Sequence, residues 1–163
     1  MSTQQRLSPS AVVPDAPRSL LAVTRYLMEN STIAERLLSL VQLRASQING
    51  CGFCTVLHAN EARDAGETNE RLVALPSWRE IPWFSEREQI ALEWTECLTK
   101  LTVCDISDEL YERALTEFGE RSLIELTLAV AGINAWNRLN VAFRVAPNDT
   151  FREKQALARL TTA

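Results

Sequence analysis

The apolar residues of this chain recur at intervals of three and four over most of its length, which is typical of amphipathic helices. Two polar pairs with capping-box spacing, Thr32 with Glu35 and Ser85 with Glu88, stand before such segments. No segment shows the sustained alternation that a half-buried strand requires. The pattern therefore predicts an all-α fold of about six to seven helices, near residues 20–29, 33–49, 51–66, 68–75, 86–100, 108–119 and 121–143.

The last of these segments, residues 121–143, is apolar on nearly every side. A helix without a polar face is buried all round, either by its own domain or by other subunits. We therefore expect the chain to form oligomers.

The first seventeen residues differ from the rest, because Pro9, Pro14 and Pro17 stand there among small and polar residues. Proline lacks an amide hydrogen and interrupts helices. We predict an extended N-terminal arm over residues 1–17 and one all-helical domain over residues 18–163, since 163 residues are enough for one well-buried core.

The charge balance argues against a nucleic-acid partner. Seventeen basic and twenty-one acidic residues give a net charge of −4, and no stretch gathers lysine and arginine into a stripe that could bind phosphates. The apolar runs are too short to cross a bilayer, and the N-terminus lacks the order of a signal peptide. A cytoplasmic protein without membrane contact is the expectation.

The candidate chemistry lies in the Cys51-x-x-Cys54-x-x-x-His58 stretch, which contains the single histidine of the chain. Both cysteines fall in the first turn of a predicted helix, where free amides and the helix dipole stabilise a thiolate. His58 lies one helical turn after Cys54, within reach for proton transfer. Cys51 lies one turn before Cys54 and could trap an oxidised Cys54 as a disulfide.

Two other interpretations of these residues stay open. Cys51, Cys54 and His58 could supply three ligands of a zinc site, with a distant cysteine as the fourth. Alternatively, they could be buried cysteines beside a structural histidine. The remaining cysteines, Cys97 and Cys104, stand among apolar neighbours and are expected to be small buried side chains.

Beyond the cysteines, several stretches resemble the AhpD-like alkylhydroperoxidase family of the carboxymuconolactone decarboxylase-like superfamily. The resemblance spans about residues 37–144 and is carried by Leu43-Arg44-Ala45-Ser46-Gln47-Ile48-Asn49-Gly50-Cys51, Glu61-Ala62-Arg63-Asp64-Ala65-Gly66-Glu67, Trp78-Arg79-Glu80, Phe84-Ser85-Glu86-Arg87-Glu88 and Ile133-Asn134-Ala135-Trp136-Asn137-Arg138-Leu139.

The resemblance implies an all-α fold, assembly as a homotrimer or homohexamer, and reduction of hydroperoxides without metal, haem or flavin. Cys54 would attack the peroxide, Cys51 would resolve the product as a disulfide, and His58 would relay protons. A dithiol donor, such as a lipoyl group or a thioredoxin-like protein, would return the electrons.

Two positions depart from the family pattern. Members usually carry a glutamate twelve residues before the first cysteine, where this chain has Ser39, and some carry a histidine at the position of Phe53. Glu35 and Gln42 lie about one turn from Ser39 and could partly replace the missing carboxylate.

The leading expectation is a thiol-dependent peroxidase that reduces alkyl hydroperoxides in antioxidant defence. The alternatives are a non-catalytic redox sensor or thiol-disulfide partner protein and, third, a zinc-binding interaction module.

Overall fold

The computed structural model describes residues 4–147, which are helical with turns and contain no strand. This confirms the predicted all-α class. The helices are α1 (Pro9–Val12), α2 (Asp15–Asn30), α3 (Glu35–Ile48), α4 (Gly52–Asp64), α5 (Asn69–Ala74), a 3₁₀ helix (Leu75–Glu80), α6 (Glu86–Thr99) and α7 (Asp108–Phe143).

Helix α3 lies at the centre of the fold and packs against α4, α6 and α7. Its sequence explains this position, because four apolar side chains bury almost all of their surface: Leu40, Val41, Leu43 and Ala45. Helix α2 also packs against α7.

Hydroxyl side chains begin three of the helices as the sequence pattern indicates. Ser85 and Glu88 form a reciprocal capping box at α6, Thr68 accepts a hydrogen bond from an amide of α5, and Ser107 does the same at α7.

The capping box predicted for Thr32 and Glu35 is wrong. Helix α3 begins after Ala34 without a side-chain cap. Thr32 instead donates its amide and its hydroxyl to Oε2 of the buried Glu125, at 2.8 Å each. A buried carboxylate has a stronger demand for donors than an exposed helix end, which water can satisfy.

Helix α7 joins the two segments that the sequence separates near residue 120. Its backbone turns at Gly119, whose φ of 71° is open to glycine at little cost. In the isolated chain the second half also leaves Ile124 61% exposed.

The extended arm predicted for residues 1–17 is contradicted in its second half. Residues 9–12 form α1, with Pro9 in the first turn, where its missing amide hydrogen is not needed. Helix α2 begins at Asp15 rather than after Pro17. Residues 1–3 of the predicted arm and residues 148–163 of the predicted domain lie outside the described part.

The expectation that Cys97 and Cys104 are small buried side chains is confirmed for Cys97, whereas Cys104 is only partly buried and their bond to each other was not predicted. A turn in which Lys100 accepts the amides of Val103 and Cys104 returns the chain to the end of α6. There the two cysteines form a disulfide with Cα atoms 5.0 Å apart.

Between residues 4 and 147, no helix is both long enough and apolar enough to cross a membrane.

Candidate functional site

The junction of α3 and α4 places the two candidate cysteines. Gly50 follows α3 with a φ of 66°, a conformation that glycine adopts readily. The amide of Cys51 then bonds to the carbonyl of Ser46 at 3.0 Å, and Cys51 becomes the N-cap of α4. Its Sγ accepts a hydrogen bond from the amide of Cys54 at 3.3 Å, so both cysteines lie in the first turn of α4.

Both thiols are free and almost completely buried, each with 1% of its surface exposed. They pack against Ala45 of α3 and Ile133 of α7. His58, also buried, lines the same cavity as Cys54. The structure thus brings together the three residues that the sequence singles out, while their catalytic role stays a prediction.

Asparagine side chains of α7 complete the surroundings of the sulfurs. Asn140 donates its Nδ2 hydrogen to Sγ of Cys54 at 3.2 Å. The buried Asn137 donates to Oγ of Ser46 at 3.1 Å and accepts from Asn49 at 2.9 Å, which fixes its amide next to both cysteines.

These contacts separate the pKa values of the two thiols. A hydrogen bond from Cys51 is the largest cause that lowers the pKa of Cys54, to about 6, against the opposing effect of burial. Hydrogen bonds from Asn140 and Asn137 and the charge of His58 lower this pKa further. The hydrogen bond to Cys54 and burial raise the pKa of Cys51. At neutral pH the pair therefore shares one proton, which Cys51 holds.

Glu61 orients the histidine. Its Oε2 lies 2.7 Å from Nδ1 of His58, and a carboxylate can only accept, so Nδ1 carries the hydrogen. In the neutral ring Nε2 is then the proton acceptor. Glu61 is absent from the predicted site, although its position three residues after His58 on one helix was a usable signal.

Asn137 and Asn140 were also missed. Spacing along the sequence gave no signal for them, because Asn140 is 86 residues away from Cys54. Only the packing of α7 against α3 and α4 reveals this contact.

A cavity of about 790 Å³ adjoins Cys54 and is lined by parts of α2, α3, α4 and α7. Ser39, at the position where the family usually has glutamate, lines it together with Glu35 and Gln42. The departure from the family pattern thus falls inside the site. Two carboxylates, those of Glu35 and Glu61, line the same cavity as His58.

The zinc alternative requires a distant cysteine as the fourth ligand, and Cys97 and Cys104 are bonded to each other. Within the described range, no three side chains of histidine, cysteine, aspartate or glutamate come together at a spacing that could hold a metal ion.

Comparison with known proteins defines the class. The profile of the Carboxymuconolactone decarboxylase family matches residues 14–96. The chain is 34% identical over 138 residues to YdfG of Bacillus subtilis (strain 168), an uncharacterised protein, covering 85% of this chain and 93% of that one. The chain belongs to the Carboxymuconolactone decarboxylase family, and its fold and its structural neighbours make it an AhpD-like member.

Two solved structures illustrate the likeness. ATU0492 of Agrobacterium tumefaciens, a protein of unknown function with the provisional name antioxidant defence protein AhpD, superposes with a TM-score of 0.84 at 31% identity, over 89% of this chain and 99% of that one. An uncharacterised peroxidase-related protein of Ralstonia eutropha JMP134, described as an alkylhydroperoxidase AhpD core, has a TM-score of 0.77 at 17% identity, over 87% and 75%. The second likeness shows the fold alone.

Proposed function

We propose that this protein is a thiol-dependent peroxidase that reduces alkyl hydroperoxides and serves antioxidant defence. The observation that carries the proposal is the position of Cys54, whose amide bonds to Sγ of the buried Cys51 at 3.3 Å and which lines a large cavity; its surroundings lower its pKa to about 6. The thiolate is the attacking nucleophile, and a resolving thiol must be able to come within bonding reach of its sulfur, which the position of Cys51 one helical turn away allows.

The first step is nucleophilic substitution at oxygen. The Cys54 thiolate attacks the terminal oxygen of ROOH, an S–O bond forms and the O–O bond breaks. The alkoxide RO⁻ leaves and takes a proton to become ROH. His58, hydrogen-bonded to Glu61, lines the same cavity as Cys54 and can supply and later recover this proton. Cys54 becomes a sulfenic acid and the hydroperoxide gains two electrons.

The second step converts the sulfenic acid into a disulfide. The sulfur of Cys51 attacks the sulfur of Cys54, an S–S bond forms, and the hydroxyl of the sulfenic acid leaves as water with the proton of Cys51. A dithiol donor, a lipoyl group or a thioredoxin-like protein, then reduces the disulfide with two electrons and two protons.

Assembly as a homotrimer or homohexamer belongs to the proposal. Ile124 and Leu128 of α7 are exposed in the isolated chain, and an apolar surface on a long helix suits burial against another copy.

A non-catalytic redox sensor is the second candidate, and Ser39 favours it. This serine lines the cavity where a carboxylate would take part in proton transfer, so the same cysteine pair would turn over slowly.

Steady-state consumption of cumene hydroperoxide with dihydrolipoamide or thioredoxin as the donor tests the proposal. We expect turnover that the folded Cys54→Ser variant lacks. A double variant, Cys97→Ser with Cys104→Ser, is the matched control and should keep the activity. Oxidation of Cys54 without turnover with any donor would support the sensor, and activity that survives Cys54→Ser would refute both functions.

A further inference from the structure

The cavity beside Cys54 is much larger than the smallest peroxide. Its volume of about 790 Å³ is in the range of sites for small organic ligands, whereas a molecule the size of water or hydrogen peroxide needs roughly 30 Å³. Hydrogen peroxide would leave most of the cavity to water or empty.

The wall is mainly apolar. It is formed by side chains of α2, α4 and α7, including Leu21, Leu27, Phe53, Leu57, Ile133 and Trp136. Such a wall gains free energy when a hydrocarbon group displaces water from it. At the usual strength of this effect, each methylene that enters raises kcat/KM by roughly fourfold.

The charged groups that face the cavity are acidic or become anionic. Glu35 lines it with an exposed side chain and Glu61 with one that is 43% exposed, which places both at its open rim, and Cys54 supplies a thiolate. His58 is the one basic side chain among the described residues that line it, and it already faces the carboxylate of Glu61. No arginine or lysine of the described wall is available to pair with an anionic substrate.

From size, wall and charge we infer that the site takes bulky, uncharged alkyl or aryl hydroperoxides, and that it discriminates against both hydrogen peroxide and carboxylate-bearing hydroperoxides. This inference rests on the proposed peroxidase function. It places the protein after reactions that add oxygen to neutral hydrocarbon groups, such as esterified acyl chains, rather than to free acids.

A single-turnover measurement tests the size preference and needs no electron donor. The rate of Cys54 oxidation is followed by stopped-flow with hydrogen peroxide, tert-butyl hydroperoxide and cumene hydroperoxide. Each rate constant is divided by that of a small free thiolate with the same peroxide. We expect the normalised value to rise at least tenfold from hydrogen peroxide to tert-butyl hydroperoxide and at least a hundredfold to cumene hydroperoxide.

A matched pair tests the charge preference: cumene hydroperoxide with a para-carboxylate and the methyl ester of the same molecule. Two rim carboxylates at screened surface distances should make the ester about tenfold faster. Glu35→Lys should reduce this ratio at least threefold. Glu70→Lys, an exposed acid of α5 outside the cavity, is the charge-matched control and should leave the ratio unchanged.

A variant that narrows the cavity tests the size preference independently. Leu21 is half-exposed on the wall, so Leu21→Trp can fill space without disturbing the core, and it should slow cumene hydroperoxide at least fivefold more than hydrogen peroxide. Val73→Trp, at an exposed apolar position of α5, should change neither rate.

Equal normalised rates for all peroxides, or an acid that reacts as fast as its ester, would overturn the inference but not the proposed peroxidase function. Equal normalised rates are also the result expected if a second copy of the chain fills the cavity. Failure of every peroxide to oxidise Cys54 would refute the proposed function itself.

Discussion

Asn140→Leu is the most informative single change at the sulfur, because it removes one donor and keeps the number and branching of the side-chain heavy atoms. Asn140 donates to Sγ of Cys54 at 3.2 Å, and this bond is stronger with a thiolate than with a thiol. Its loss therefore favours the protonated form and raises the pKa of Cys54.

The size of the shift follows from the remaining contacts. A hydrogen bond to a charged group contributes about 1.5–3 kcal/mol, or roughly one to two pKa units. Cys51, Asn137 and His58 still act on Cys54, and Asn140 is only half-buried, so we expect the lower end. The pKa should rise from about 6 to about 7. At pH 6 the thiolate fraction then falls from about one half to about one tenth, a fivefold loss of reaction rate.

The assay is the rate of iodoacetamide alkylation of Cys54 between pH 4 and 9, in a Cys97→Ser, Cys104→Ser background. The midpoint should move upward in Asn140→Leu, and the rates should converge above pH 8.5. Asn69→Leu, at the exposed start of α5, is the control and should keep the midpoint near pH 6. A folded Asn140→Leu protein whose midpoint stays within about 0.3 units of the parent would refute this account of the thiolate.

Three further predictions concern the relay and the stability. Ser39→Glu restores the carboxylate that the family usually has, and it should raise the rate of Cys54 oxidation at least about tenfold in stopped-flow, whereas an unchanged rate and pH profile would show that this position does not limit proton transfer. Hydrogen bonds outweigh burial and hold the pKa of Glu125 at about 2, below its ordinary value, so the unfolded chain takes up this proton first. Urea unfolding should therefore show stability that is full above pH 5 and falls towards pH 2, and Glu125→Gln should flatten this slope; equal slopes would exclude Glu125 as its source. Replacing Cys97 and Cys104 by serine frees a closed loop of about eight residues, and the free energy of unfolding should drop by about 2.5 kcal/mol, with no drop if the pair is reduced in the parent protein.

Most of the helices could be predicted from local signals in the sequence. Apolar spacing and the caps at Ser85 and Ser107 depend on neighbours within one or two turns, and both caps are confirmed. Thr32 failed as a cap because its partner, Glu125, lies 93 residues away and becomes visible only when α2, α3 and α7 are packed together. Pro9 likewise suggested an extended arm, although proline is compatible with the first turn of a helix.

The candidate site likewise has a part that local sequence spacing predicts and a part that depends on contacts between distant helices. The grouping of Cys51, Cys54 and His58 followed from positions on one helix, and the structure places them as expected. The hydrogen bond from Asn140 and the shape of the cavity depend on contacts between distant helices, which no spacing rule encodes.

The most direct test of the central claim is peptide mass mapping after fully reduced protein meets one equivalent of cumene hydroperoxide. We expect the Cys51–Cys54 peptide to lose two hydrogen atoms as a disulfide, and Cys51→Ser instead to leave a sulfenic acid on Cys54 that dimedone traps. A Cys51–Cys54 peptide that stays reduced while the peroxide is consumed, or trapping on Cys51 rather than on Cys54, would refute the proposed roles of the two cysteines.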